Sequence, residues 1–115
     1  MPSKPKLPKG ATKYALAFEK AARAEWDALD GSVKEPLRKA LKTRLENPII
    51  PGSALRGELA HCYKIKLKKL GYRLIYRVLD AQLIVLVISV GKRDGEAVYK
   101  AAIKRLRDAA ARKSL

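Results

Sequence analysis

The chain has little of what most catalytic centres are built from. It holds one histidine, His61, and one cysteine, Cys62. A single cysteine excludes an internal disulfide framework and is compatible with the cytosol. One His and one Cys, without carboxylates clustered at ligand spacing, cannot build a zinc site within the chain. A lone histidine also excludes a nuclease that works with a histidine pair. There is no glycine-rich phosphate loop and no serine nucleophile elbow. No apolar run is long enough to cross a membrane, since the longest, Leu83-Ile84-Val85-Leu86-Val87-Ile88, has the length of a strand. The N-terminal residues lack the apolar core of a secretory signal. No internal repeat is present.

Acidic residues are scarce as well. There are 11 Asp+Glu against 26 Lys+Arg, a formal charge of +15 at pH 7. Repulsion on that scale opposes compaction and draws the chain to phosphate backbones or anionic membranes. With 48% hydrophobic residues the chain can still build a core. Its length suits one domain. Residues 1–13 carry three prolines, four lysines and no acid, and read as an extended or disordered basic arm. Residues 14–115 then form a single domain.

The elements follow from periodicity. Residues 14–18 suit a first strand. Phe18, Ala22, Trp26 and Leu29 recur at helical spacing and predict a helix over about 19–29. Asp30-Gly31 breaks it, and Ser32 followed by Glu35 is a capping-box pattern for a second helix, with Pro36 in its first turn. Val33, Leu37, Leu41 and Leu45 form one stripe, which Asn47-Pro48 ends. So short a connection predicts an antiparallel helical hairpin. Three strands follow at 62–68, 72–80 and 83–90. The last is apolar on both faces, the pattern of a central or doubly covered strand. Asp94 can cap a final helix whose apolar set is Val98, Ala102, Ile103, Leu106 and Ala110. The class is α+β, in the order β-α-α-β-β-β-α. The hairpin covers one face of a mostly antiparallel sheet and leaves the other free to carry charge.

That charge is concentrated. Tyr63-Lys64-Ile65-Lys66-Leu67-Lys68 is followed, across a turn at Gly71, by Tyr72-Arg73-Leu74-Ile75-Tyr76-Arg77, with no acid from Lys64 to Arg77. Alternation puts Lys64, Lys66 and Lys68 on one face, and Cys62 beside them. Like charges on neighbouring strands repel, so the arrangement points to a polyanion. His61 reads as a strand-end histidine without a catalytic role, and Cys62 as a small residue at a strand start. Lys, Arg and Tyr suffice for one reaction class. RNA is cut when its own 2′-hydroxyl attacks the neighbouring phosphate, if a protein aligns the attack, stabilises the charge and assists proton transfer. Crowded cations lower a lysine or tyrosine pKa toward that use. By pattern alone a nucleic-acid-binding module is favoured over an enzyme.

Taken together, Leu55-Arg56-Gly57, Cys62-Tyr63-Lys64-Ile65-Lys66-Leu67, Gly71-Tyr72-Arg73-Leu74-Ile75-Tyr76 and Val87-Ile88-Ser89-Val90-Gly91-Lys92-Arg93, with Val98-Tyr99 after them, resemble the RelE toxins of bacterial type II toxin–antitoxin systems. The likeness runs from about residue 18 to 106. It implies the β-α-α-β-β-β-α fold and a metal-independent endoribonuclease, without cofactor, that enters the ribosomal A site and cuts mRNA. It implies a cytoplasmic protein silenced by a RelB-like antitoxin that wraps it and often displaces its last helix. Carried over by motif, the catalytic set is Lys64, Lys66, Arg73, Arg93 and Tyr99. Arg56, Lys68, Arg77 and Lys92 are expected to touch messenger or ribosomal RNA. The arm before residue 14 and the prolonged last helix at 107–115 depart from the family pattern. Two competitors remain at this point: a ParE-like toxin on the same scaffold, acting on DNA gyrase, and a non-catalytic RNA-binding or ribosome-associated protein.

Overall fold

The structure, a computed structural model, describes residues 13–92 and 96–113. The elements are β1 (Ala15–Phe18), α1 (Lys20–Asp27), α2 (Gly31–Glu46), β2 (Cys62–Leu67), β3 (Tyr72–Leu79), β4 (Ile84–Lys92) and α3 (Ala97–Lys113). This is the order read from the sequence. The expected arm falls outside the described residues except for Lys13, as do Arg93 and the expected cap Asp94.

The four strands form one mixed sheet in the order β1-β4-β3-β2. β1 runs parallel to β4, and the other two pairs are antiparallel. β4 is therefore interior, which explains why its sequence is apolar on both faces. One irregularity interrupts the β3–β4 ladder: Ile75 pairs with Ser89 while Tyr76 pairs with Val87. Ile88 is the extra residue of a bulge.

Two apolar layers lie against this sheet. On one face Ala22 and Trp26 of α1 and Val33, Leu37 and Leu41 of α2 pack with Ile65, Leu74, Tyr76, Val85, Val87 and Val90. Full burial of Leu37 and Leu41 is worth roughly 1.5–3 kcal/mol each. On the other face Val98 and Ala102 of α3 pack with Leu59, Cys62, Ile75 and Ile88, with Ile103 and Leu106 beside them. The expectation that the second face is left free to carry charge is therefore not met. α3 covers it, because its apolar stripe has no other surface to bury against. The cations of β2 and of the start of β3 lie at the margin of this layer.

The cap of α2 also differs from expectation. Asp30, not Ser32, is the N-cap: its carboxylate accepts from the Ser32 amide at 3.2 Å and from the Ser32 hydroxyl. These bonds hold the Asp30 carboxyl below its usual range. Glu35 pairs with Arg38 instead of closing a capping box. Pro36 consequently lies beyond the first turn, where its missing N–H costs the helix a bond. The region 49–59 is a loop, as expected, with short 3-10 turns at Pro51–Ser53 and Gly57–Leu59.

Candidate active site

Strand alternation assigns the side chains of β2 and β3. Tyr63, Ile65 and Leu67 join the core beneath α1 and α2. Lys64 and Lys66 take the α3 side with Cys62. Lys66 lies directly across the ladder from Arg73. Arg73 extends to the first turn of α3, where its Nη1 donates to the Tyr99 hydroxyl at 2.7 Å. Its guanidinium carbon also lies 5.4 Å from the centre of the Tyr99 ring. Lys64, Lys66, Arg73 and Tyr99 therefore converge at one corner, between the outer strand and the start of α3.

The corner is built for positive charge. The Lys66 ammonium is pushed below its ordinary value, first by the charge of Lys64, then by Arg73, with smaller contributions from burial and Lys68. Arg73 Nε is a buried donor with no hydrogen-bond partner among the described residues. Such a donor costs about 1–3 kcal/mol, and native proteins keep few of them.

Two details place α3 against the sheet. Ser89 Oγ donates to the Val98 carbonyl at 2.9 Å in a buried contact. Gly91 lies opposite Arg73 in the ladder, and a Cβ there would meet Val98 Cγ2 at 3.3 Å. In the sequence Gly91 is only one residue of the 87–93 block, with no role of its own. Its pairing with Arg73 and its nearness to Val98 make it part of the corner.

The other candidates are dispersed. Arg56 is exposed in the loop before the Gly57–Leu59 turn. Lys68 is exposed just past the end of β2. Arg77 lies across from Cys62, about 13 Å along β3 from Arg73 at strand rise. Its Nε is also buried without a hydrogen-bond partner among the described residues. Lys92 pairs with Tyr72, whose ring joins the α1/α2 core, so alternation sends Lys92 to the face opposite Arg73. Cys62 is fully buried, and burial raises its thiol to about 11 against the opposing charge of Arg77. A thiol so placed stays protonated at neutral pH and is a poor nucleophile. His61 is exposed ahead of β2 with φ at +68°.

The site chemistry is that of a cationic cradle with one phenol. It offers a guanidinium for phosphate, two point charges, one of them the Lys66 ammonium shifted toward deprotonation, and an aromatic face.

The comparisons agree with one another. The family described as "ParE toxin of type II toxin-antitoxin system, parDE" matches residues 16–97. The chain is 48% identical over 93 residues to the mRNA interferase toxin RelE of Escherichia coli K12, covering 81% of this chain and 97% of that protein. It superimposes on the crystal structure of the isolated E. coli RelE toxin with a TM-score of 0.68 at 47% identity, covering 81% of this chain and 98% of that one. The toxin in the intact E. coli RelBE toxin–antitoxin complex gives 0.68 at 48% identity, over 71% and 99% of the two chains.

Proposed function

We infer the function from one premise: the chain belongs to the RelE/ParE family of type II toxin–antitoxin toxins, on its RelE side. It is an mRNA interferase, an endoribonuclease, and its partner is an antitoxin of the RelB kind. Beyond that, the proposed activity is cleavage of mRNA in the ribosomal A site, which places the toxin in the cytoplasm where messages are translated.

In the proposed mechanism the ribosome presents the message and the toxin supplies charge and proton transfer. The 2′-hydroxyl loses its proton and attacks the neighbouring phosphorus; as the O2′–P bond forms the P–O5′ bond breaks, leaving a 2′,3′-cyclic phosphate and a 5′-oxygen that takes up a proton. Arg73 and Lys64 stabilise the charge that develops on the phosphoryl oxygens. Lys66, shifted toward its neutral form by Lys64 and Arg73, takes or returns a proton. Tyr99, oriented by its hydrogen bond from Arg73, stacks on a base or assists proton transfer. Arg93 is proposed to contribute further charge, and Arg56, Lys68, Arg77 and Lys92 to meet RNA at the periphery. The observation that carries this reading is the meeting of Lys64, Lys66, Arg73 and Tyr99 at one corner. A gyrase inhibitor or a plain RNA binder has no need of a phenol bonded to an arginine beside a cation-crowded lysine.

The test is purified wild-type protein on programmed ribosomes, with 5′-end mapping of the message. Codon-phased cuts that require the ribosome are expected, and the genetically adjacent antitoxin abolishes them. Loss of gyrase supercoiling without mRNA cleavage would sink the reading in favour of a ParE-like action. RNA binding without either effect would reduce the protein to a binder.

A further inference from the structure

β2 is one of the two outer strands of the sheet, and it carries Lys64 and Lys66. An outer strand has only one ladder of hydrogen bonds. Its free edge presents unpaired backbone groups and opens more readily. A site that depends on two lysines of such a strand needs that edge held.

The edge is held in two ways. Ahead of Lys64, the preceding loop runs alongside: the Leu55 amide donates to the Cys62 carbonyl at 2.9 Å, and Ala54 bridges to Tyr63. At Lys64 itself the closure is a side chain from α2. Arg44 Nη1 donates to the Lys64 carbonyl at 3.4 Å and to the Tyr76 hydroxyl at 2.8 Å. Its Nη2 donates to Ser53 Oγ at 3.2 Å. The Tyr76 hydroxyl in turn donates to the Pro48 carbonyl at 2.7 Å. The Arg44 guanidinium carbon lies 5.7 Å from the Tyr76 ring centre, and that ring stacks on Tyr63 at 5.6 Å and 20°.

One side chain thus ties α2, the loop after it, β3 and the outer strand together. The bond to Lys64 is the long one, so the hold comes from the whole network rather than from that contact. Packing alone does not require an arginine here. Three acceptors converge on position 44, and only a planar guanidinium serves all three at once. A lysine offers a point charge that reaches fewer of them.

We propose that Arg44 is a positioning residue for cleavage: it fixes the backbone of β2 at Tyr63 and Lys64, and through it the placement of Lys64 and Lys66 against Arg73. This rests on the reading of those lysines as working residues. Arg44 approaches from the α2 side, opposite the Lys64 side chain, so it acts through the strand and not on RNA.

The experiment compares wild type, Arg44→Met, Arg44→Lys and Tyr76→Phe in single-turnover cleavage on programmed ribosomes, with thermal melts and NMR titration of the Lys66 ammonium. Arg44→Met is expected to lower the saturating cleavage rate by about ten- to a hundredfold, leaving the half-saturating ribosome concentration within about twofold. Arg44→Lys recovers part of the rate. The Lys66 titration moves back toward its ordinary value in Arg44→Met. Tyr76→Phe keeps the stacked ring, loses one acceptor, and shifts both readouts less in the same direction. An active wild type matched by Arg44→Met overturns the proposal alone. So does a rate loss that only tracks the unfolded fraction, with Lys66 titrating as before. A wild type that cleaves nothing on ribosomes overturns the nuclease reading, and the positioning role with it.

Discussion

Glu25 and Arg105 form an ion pair that replaces a missing strand. β1 pairs with β4 only as far as Val87. In the stretch beyond, the Val90 amide donates to Glu25 Oε1 at 3.3 Å, and Arg105 Nη1 donates to the Ile88 carbonyl at 2.8 Å. The two side chains then pair with each other at 2.7 and 3.0 Å. Helices from opposite faces of the sheet are joined through its open edge.

Arg105→Met should therefore lower stability by about 2 kcal/mol, more than an exposed pair is worth, because Arg105 is only 19% exposed. Urea denaturation measures this. The double change Glu25→Gln/Arg105→Met should cost less than the sum of the single changes. Strict additivity would show that the pair is not coupled.

Arg73 and Tyr99 should matter to chemistry more than to binding. Tyr99→Phe removes the hydroxyl that accepts from Arg73 and keeps the ring. Single-turnover cleavage should fall by about a hundredfold if the phenol handles a proton, with ribosome binding nearly unchanged. Arg73→Ala should fall at least as far. Wild-type rates in both variants would remove the pair from the site.

The pH response of Lys66 has a definite sign. Its pKa is lowered on folding, so the unfolded chain holds that proton more tightly. Below the lowered value the repulsion from Lys64 and Arg73 is present in full. Between that value and 10.5 folding releases a proton, and stability from this group rises with pH. NMR should find Lys66 titrating below the ordinary lysine value, and Lys64→Met should move it upward. The cleavage profile of Lys64→Met should rise at higher pH than that of wild type. A Lys66 midpoint indifferent to Lys64 contradicts the crowding argument.

Gly91→Ala tests the seat of α3. The added methyl meets the Val98 side chain at 3.3 Å, so that side chain must give by a few tenths of an ångström and presses on the start of α3. The expected cost is modest, about 1 kcal/mol by thermal denaturation. The cleavage rate should fall by more than that loss of folded protein explains, since Tyr99 follows Val98. An unchanged rate would mean that the corner tolerates movement of α3.

Much of this arrangement was legible in the sequence. Period-two alternation put Lys64 and Lys66 on one face, and the apolar run at Leu83–Ile88 marked β4 as interior. The resemblance then drew Arg73 and Tyr99 into the same site. Four features were not legible, each for a physical reason. Asp30 and Ser32 are both short polar residues ahead of an apolar stripe, and only backbone geometry decides between them as cap. The stripe of α3 shows that the helix is buried on one side but not which sheet face it covers. Arg44, Glu25 and Arg105 read as solvated helix charges, because their partners lie far away in the chain. Lys92 belongs with these: an uninterrupted strand would set it on the face of Arg73, and the bulge at Ile88 reverses it.

That extra residue has a mechanical meaning as well. β4 spans nine residues where β3 spans eight. A bulge bends its strand and tightens the local twist. The bend falls between the half of β4 that runs beside β1 and the half in which Gly91 lies opposite Arg73. Deleting Ile88 would keep every cation in the chain and straighten the ladder that presents them. The curvature of the surface that carries these cations is set by a backbone irregularity that no count of lysines and arginines reveals.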